Sequence, residues 1–272
     1  MSDWNSEQYL KFKAQRTRPA IDLASRLSVS RSVSQSDSQS ASQSDIIDLG
    51  CGPGNSTRVL RERFPNARIT GADSSENMLE KARAENPDME FVRLDLNDDL
   101  SALNGKFDIV FSNACFQWLP NHRELLPRVF ALLKSGGTLA AQIPMNFDEP
   151  IHKIIKRVSE SPKWSDKFPE KRIFGTLTIP EYHDILSGLT DDFELWQTVY
   201  CHRMPGVPSI IEWYRATGLR PYLNALSETD SAEFIAEISG ELEKEYPKQK
   251  NGEIVFRFPR FFFIANKTNQ RR

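Results

Sequence analysis

Gly50, Gly52 and Gly54 stand in the stretch IIDLGCGPGNST with the spacing GxGxG. A short apolar run feeding close glycines is the pattern of a strand that turns sharply into a helix and lets backbone approach a ligand. A phosphate loop needs GxxxxGK followed by Ser or Thr, and no Lys follows these glycines. A dinucleotide turn needs GxGxxG, and Asn55 holds the place of its third glycine. Pro53 has no N–H to offer an anion. The turn permits close approach but makes a poor pyrophosphate cradle.

Other polar residues fall at the ends of later apolar runs. Asp73 closes ARITGAD about twenty residues beyond the turn, where a carboxylate accepts from both ribose hydroxyls of an adenosine ligand. Asp95 and Leu96 end MEFVRLDL, where a carboxylate suits an adenine amino group and a backbone N–H its ring. Asn113 ends FDIVFSN. Four strand ends then surround one crevice, as ligands of open α/β sheets require. The alternative for Asp73 and Asp95 is simple helix capping.

These residues need a scaffold of alternating strands and helices, and the chain supplies it. Strands are expected at Ile46–Leu49, up to Asp73, up to Asp95, up to Asn113, and over TLAAQIP after Gly136-Gly137. Between them lie amphipathic segments carrying Leu60 and Phe64, then Met78, Leu79 and Ala82, then Leu125, Val129, Leu132 and Leu133. Asn121 and Glu124 have capping-box spacing for the last of these. Such alternation means a parallel sheet covered on both faces. Upstream, YLKFKAQRTRPAIDLASRL reads as two helical pieces, with Pro19 in the first turn of the second. Downstream, residues 147–190 hold one clear helix and a Pro-containing loop. FELWQTVYCHRM reads as a strand, PSIIEWYRATG as a helix, and a longer helix follows Ser227. The helices over 208–246 interrupt the sheet and are expected to cap the strand ends. A bulge or strand start is expected near Pro259 within EIVFRFPRFFFIANK.

Composition narrows the function classes. Hydrophobic content of 39% and charged content of 26% suit a globular chain with a sizeable core. A net charge of −2 gives no bulk attraction to nucleic acid or anionic lipid. Three scattered cysteines and four isolated histidines show no metal-ligand spacing, so no metal is expected. No signal-peptide core or bilayer-length apolar stretch is present, so a cytoplasmic location without membrane association is expected. The serine-dominated stretch 28–45 has almost no apolar side chains to offset ordering entropy and reads as an insertion.

IIDLGCGPGNST, Asp73, LDL and NACFQWLP together resemble the class I S-adenosylmethionine-dependent methyltransferases. DWNSEQYLKFKAQRTRPAIDLASRL, NACFQWLPNHREL, EWYRATGLRPYL and FRFPRFFFIA extend the likeness over nearly the whole chain, to a branch of that family acting on small polycarboxylic acids. The resemblance implies an α/β, Rossmann-like, doubly wound fold. Its seven-stranded sheet would be mostly parallel, with an antiparallel strand near the C-terminus and a helical cap. It implies an N-terminal helical lid at 1–27, the serine-rich insertion at 28–45 and a cofactor-binding core at 46–145. A remaining core strand with the cap and substrate region would occupy 146–250, and a final sheet strand 251–272.

The implied cofactor is S-adenosyl-L-methionine. Its binding would draw on Tyr9 and Arg16 from the lid, then Asp48, Gly50, Cys51, Gly52, Asn55 and Ser56 at the turn. Asp73, Ser74, Met78, Asp95, Leu96, Asn113 and Ala114 complete the implied set. The implied reaction moves a methyl group to a carboxylate oxygen. A carboxylate of pKa about 4 is already ionised at pH 7, so no general base is required. Trp118 and Gln117 follow the fourth strand and are the candidates to orient the reacting carboxylate, with plain core packing the alternative for Trp118. The other carboxylates of a small polycarboxylate need cations, and Arg binds them bidentately. Candidates are Arg18, Arg203, Arg220 and Arg260, with Tyr200 and His202 alternating on one strand. No nucleic acid and no obligate protein partner is implied. Competing readings are a methyltransferase for another small or thioester-carried acid, a cofactor-binding protein without turnover, and a nicotinamide dehydrogenase.

Overall fold

The computed structural model describes residues 12–28, 43–168, 175–215 and 217–268. Tyr9 and most of the serine-rich stretch lie outside the described residues. The chain divides into two compact units. The first comprises Met1–Pro144, Phe174–Thr198 and Phe261–Arg272, and the second Met145–Ile173 and Val199–Arg260.

The first unit carries strands β1 (Asp45–Leu49), β2 (Arg68–Asp73), β3 (Glu90–Arg93), β4 (Phe107–Asn113) and β5 (Leu133–Pro144). They run parallel, with Ile46 opposite Ile69 on one side and Ile109 on the other. β1 sits in the middle and is covered on both faces, which is why Ile46 through Leu49 is an unbroken buried run. β6 (Phe193–Met204) and β7 (Ile254–Asn266) complete a seven-stranded sheet in the order β3-β2-β1-β4-β5-β7-β6, with an antiparallel pair near the C-terminus. The expected Rossmann-like fold is thus present.

Helices α1 (Lys13–Ser25), α2 (Asn55–Arg63), α3 (Glu76–Glu85), α4 (His122–Ala131) and a later helix described below cover this sheet. α1 packs on α2 and β5, burying Leu23 and Ala24, and Leu27 just beyond its end is buried too. It is one helix and not two pieces, for Pro19 lies in its interior. That placement forgoes one i→i−4 hydrogen bond, which burial of Pro19 and its neighbours offsets. Ser75 caps α3 by accepting from the Met78 N–H.

Other sequence expectations need correction. β3 ends at Arg93, because its partner β2 ends at Asp73, directly opposite; Asp95 lies in the following turn. The Asn121–Glu124 capping box does not form: Asn121 has φ +49° and no side-chain cap bond, and its carbonyl accepts instead. Gly136-Gly137 lies inside β5. Leu133 pairs with Phe107 and Thr138 with Ile109, so the glycines absorb the extra length as a bulge.

The second unit contains α5 (Pro150–Ser159), and the first regains the chain for α6 (Ile179–Ser187), a helix not expected from the sequence. Thr178 and Glu181 form a genuine capping box at its start. The second unit continues with α7 (Val207–Arg215), α8 (Arg220–Leu223) and α9 (Glu228–Glu245). α9 packs against α5, with Trp164 donating to Glu237 at 2.8 Å and meeting Phe234 edge-on. β7 begins at Ile254, well before Pro259, and runs through it. Pro259 serves there as an acceptor, taking the Met145 N–H at 3.0 Å.

Candidate functional site

The glycine turn is built from backbone bonds. Gly50 and Cys51 N–H groups both donate to the Ala72 carbonyl, at 2.7 and 3.0 Å, tying the end of β1 to β2. Gly50 has φ +70°, and a Cβ there would lie 2.2 Å from Cys115 Sγ, so no other residue fits. The Cys51 side chain turns away into a core cluster with Leu79, Ala82 and Phe91. Burial holds its thiol in the neutral form.

Asp73 closes the turn from the end of β2. Its Oδ2 accepts the Gly52 N–H at 2.9 Å and its Oδ1 the Ser75 N–H at 2.9 Å. Asp73 is therefore a clasp between the glycine turn and the start of α3. Asp48 lies behind the turn, fully buried, and accepts from Ser56 Oγ at 2.6 Å and Thr57 Oγ1 at 2.7 Å. Burial pushes its carboxyl up to about 6 against the lowering effect of those hydroxyls, and the nearby Asp73 adds to the rise.

At the same strand ends, buried oxygens of Asp48 (Oδ1), Asn55 (Oδ1), Asn113 (Oδ1) and Gln117 (Oε1) have no hydrogen-bond partner within the described chain. All are acceptors. Together with Asp73 these oxygens suit a ligand rich in N–H or O–H donors. A Cβ at Gly52 would meet nothing within 4 Å, so the turn has open space on its outer side.

After β4 the chain makes a tight turn. Ala114 has φ +56°, an uncommon conformation for a residue with a side chain, and its N–H donates to the Gln142 carbonyl at 2.9 Å. Gln117 Nε2 donates to the Ala114 carbonyl at 2.6 Å. Trp118 is 39% exposed, which removes plain core packing as its explanation. His122, wholly buried, bonds the Phe116 carbonyl through Nε2 at 2.8 Å and the Tyr182 hydroxyl through Nδ1 at 2.6 Å.

The second unit gathers a different set of groups. Arg260 on β7 is 3% exposed, with its guanidinium 4.6 Å above the Phe258 ring. His202 on β6 is surrounded by Trp213, Phe256 and Phe258 and stacks parallel to Tyr200. Burial, then the charge of Arg260, pushes His202 down to about 4, so it is neutral at pH 7. Arg203 points the other way along the strand and makes two bonds to Glu253, at 2.8 and 3.0 Å. Arg220 begins α8 and is half-buried. Asn146 donates to Tyr214 Oη at 2.8 Å, and that hydroxyl meets His152 Nε2 at 3.2 Å.

A family model described as a methyltransferase domain matches residues 46–137, the stretch holding the glycine turn and the ends of β1 to β4. A trans-aconitate 2-methyltransferase of Escherichia coli O7:K1 is 41% identical over 268 residues, covering 98% of this chain and 100% of that one. The chain belongs to the trans-aconitate 2-methyltransferase family. A trans-aconitate 2-methyltransferase of Shigella flexneri is 40% identical over the same share of the chain. Solved structures add the fold. The YcgJ protein of Bacillus subtilis aligns with TM-score 0.58 at 14% identity, covering 94% of this chain and 99% of that one. Phosphoethanolamine N-methyltransferase 2 of Haemonchus contortus aligns with TM-score 0.53 at 18% identity, covering 93% and 53%.

S-adenosylmethionine is the cofactor of this methyltransferase. The residues at the glycine turn fit it, for the unpartnered oxygens described above can accept from its ammonium and ribose hydroxyls and face its sulfonium. The other candidates of the methyltransferase are placed as follows. Arg16 is buried on α1, whereas Arg18 is 65% exposed and pairs with Asp22 at 2.8 Å. Ser74 is exposed, Met78 is buried in α3, and Ser56 directs its hydroxyl to Asp48. Asp95 Oδ1 accepts from the backbone and side chain of Asn97, at 2.9 and 2.8 Å, so it stabilises its own turn; Leu96 is buried beside it. The His122–Tyr182 and Asn146–Tyr214–His152 contacts were not legible from sequence. Their partners are 60 to 68 residues apart, and no local spacing marks them. Among the described residues no cluster of His, Cys, Asp and Glu could hold a metal, and no helix is long and apolar enough to cross a membrane.

Proposed function

We propose that this methyltransferase esterifies one carboxylate of trans-aconitate, giving the monomethyl ester, by in-line transfer without a dedicated base. The observation that carries this reading is the 41% identity to a trans-aconitate 2-methyltransferase in an alignment that covers 98% of this chain, and so residues of both units, and 100% of that protein. When bound, the cofactor supplies an electrophilic methyl group. Asp73 holds the ribose, and Asp48, Asn55 and Asn113 line the turn with acceptors; Asp95 and Leu96 face the adenine. Tyr9 and Arg16 belong to the N-terminal lid.

The acceptor carboxylate is ionised at neutral pH, so the protein's task is orientation and exclusion of water. Gln117 and Trp118 orient the reacting carboxylate through an amide and an indole N–H. Arg260 and His202 bind a non-reacting carboxylate, and the aromatic enclosure around them strengthens that interaction by excluding water. Tyr200 and Arg220 assist. Arg203 is set aside by its bidentate pair with Glu253, and Arg18 contributes only by leaving Asp22.

A mass-spectrometric assay with trans-aconitate, cis-aconitate, isocitrate and citrate tests this. The monomethyl ester of trans-aconitate should form fastest. Failure to form it, with ester from another acid, would reassign the acceptor; no ester from any acid would leave a cofactor-binding protein.

A further inference from the structure

We propose that His122 is a positioning residue for methyl transfer, acting through the Phe116 carbonyl to hold Gln117 and Trp118 in place at the end of β4. The proposal rests on the reading that those two residues orient the acceptor.

The direction of the hydrogen bonds follows from the atoms involved. A carbonyl only accepts, so the ring nitrogen at 2.8 Å from the Phe116 oxygen must carry the hydrogen. In the neutral ring Nδ1 is then bare and accepts from the Tyr182 hydroxyl at 2.6 Å. The Tyr182 oxygen in turn accepts a long bond from the Leu177 N–H at 3.4 Å. One directed chain therefore runs from the segment before α6, through Tyr182 and His122, to the turn after β4. Its far end is anchored, for Tyr182 stacks on Phe261 at 5.0 Å between ring centroids.

The turn itself is strained on both sides. Among the described residues, Ala114 and Asn121 are the non-glycine residues with positive φ, at 56° and 49°, and they flank Cys115–Pro120. Such backbone persists only where its surroundings over-determine it, and it gathers at functional sites. The segment carrying Leu177 supplies a second restraint. A Cβ at Gly175 would lie 2.1 Å from the Leu119 carbonyl oxygen, so that backbone is pressed against the turn. A histidine that merely filled core would need neither the strained flanks nor the exposed Trp118 two residues beyond its acceptor.

The surroundings keep the chain neutral. Burial lowers the affinity of His122 for a second proton, although the Phe116 and Leu119 carbonyls favour it. Burial likewise holds Tyr182 protonated. The nearby charges, Arg123 on α4 and Glu181 on α6, are exposed and engage each other at 2.8 Å.

The test compares Tyr182→Phe, His122→Gln and His122→Leu in the full-length enzyme carrying fluorotryptophan, with the Trp118 resonance assigned by Trp118→Phe. Tyr182→Phe keeps its ring stacking and should fold. We expect kcat to fall roughly ten-fold, with affinity for S-adenosylhomocysteine within about two-fold, and the Trp118 resonance to shift or broaden. His122→Leu should be worse. His122→Gln should recover part of kcat, since its amide can still donate to Phe116. Unchanged kcat and an unchanged Trp118 resonance in Tyr182→Phe and His122→Leu, with only a lower melting temperature, would make His122 ordinary core and overturn the proposal. A resonance that moves while kcat stays constant would refute the role given to Gln117 and Trp118, and this proposal with it.

Discussion

Asp48 in the first unit and His202 in the second are enclosed titratable groups of opposite kind, and the partners around them differ accordingly. In the first unit Asp48 is enclosed with hydroxyl donors, near the carboxylate of Asp73 and the open acceptors of Asn55 and Asn113. In the second unit His202 is enclosed by aromatic rings beside the guanidinium of Arg260. Desolvation shifts both groups towards neutrality, Asp48 up to about 6 and His202 down to about 4. The charge left over is negative in the first set and positive in the second. We read the first as matched to a cationic cofactor and the second to an anionic acid.

Substitutions can break that contrast. The largest effect is expected from Asp73→Ala, which removes the clasp on Gly52 and Ser75 together with the acceptor we propose for the ribose. Loss of two charge-assisted bonds should weaken S-adenosylhomocysteine binding by roughly 100-fold or more by calorimetry. Arg260→Met should raise KM for trans-aconitate about 30-fold, the scale of one buried charge-assisted contact, with cofactor affinity unchanged. If Arg260→Met weakened the cofactor as much as Asp73→Ala does, the assignment of one charge to each unit would be wrong.

Smaller effects should appear in stability. The folded-state pKa of Asp48 is raised, so the cost of its ionisation is absent below about pH 3.8 and complete above pH 6. Asp48→Asn should accordingly stabilise the protein by up to about 3 kcal/mol at pH 8, with the gain vanishing by pH 4 in urea titrations. His202 has the opposite sign. Its folded-state pKa is lowered, so its contribution is present above about pH 6.5 and lost as pH falls towards 4. His202→Phe should therefore flatten the acid limb between about pH 6.5 and 4, which Asp48→Asn should steepen; identical pH profiles for both variants would contradict the contrast. The smallest effect is expected from deleting residues 30–43. Cofactor affinity should stay within about two-fold, consistent with a segment poor in apolar side chains.

The parts read correctly from sequence are those with local causes. Gly50 is dictated by a positive φ and a thiol in the way, and Asp73 by its position at the end of a strand. The misread parts have non-local causes. β3 stops where β2 stops, and Asn121 loses its capping role because its own backbone is left-handed. α1 keeps Pro19 in its interior because one face of the helix is buried on α2 and β5, which its own residues do not announce. Arg203 and Arg260 look alike in sequence, and only the fold gives one a surface carboxylate and the other an aromatic enclosure.

The sheet order also bears on how the chain is made. β7 lies between β5 and β6, yet it is the last strand in the chain. During synthesis β5 therefore waits with an open edge while more than a hundred residues emerge, among them helices α5, α7, α8 and α9 of the second unit. An unpaired, largely apolar edge of that kind is a template for pairing with another chain. The nascent protein is most vulnerable to association just before Ile254–Asn266 is released, and translation that stalls there would yield aggregate in place of a stable fragment.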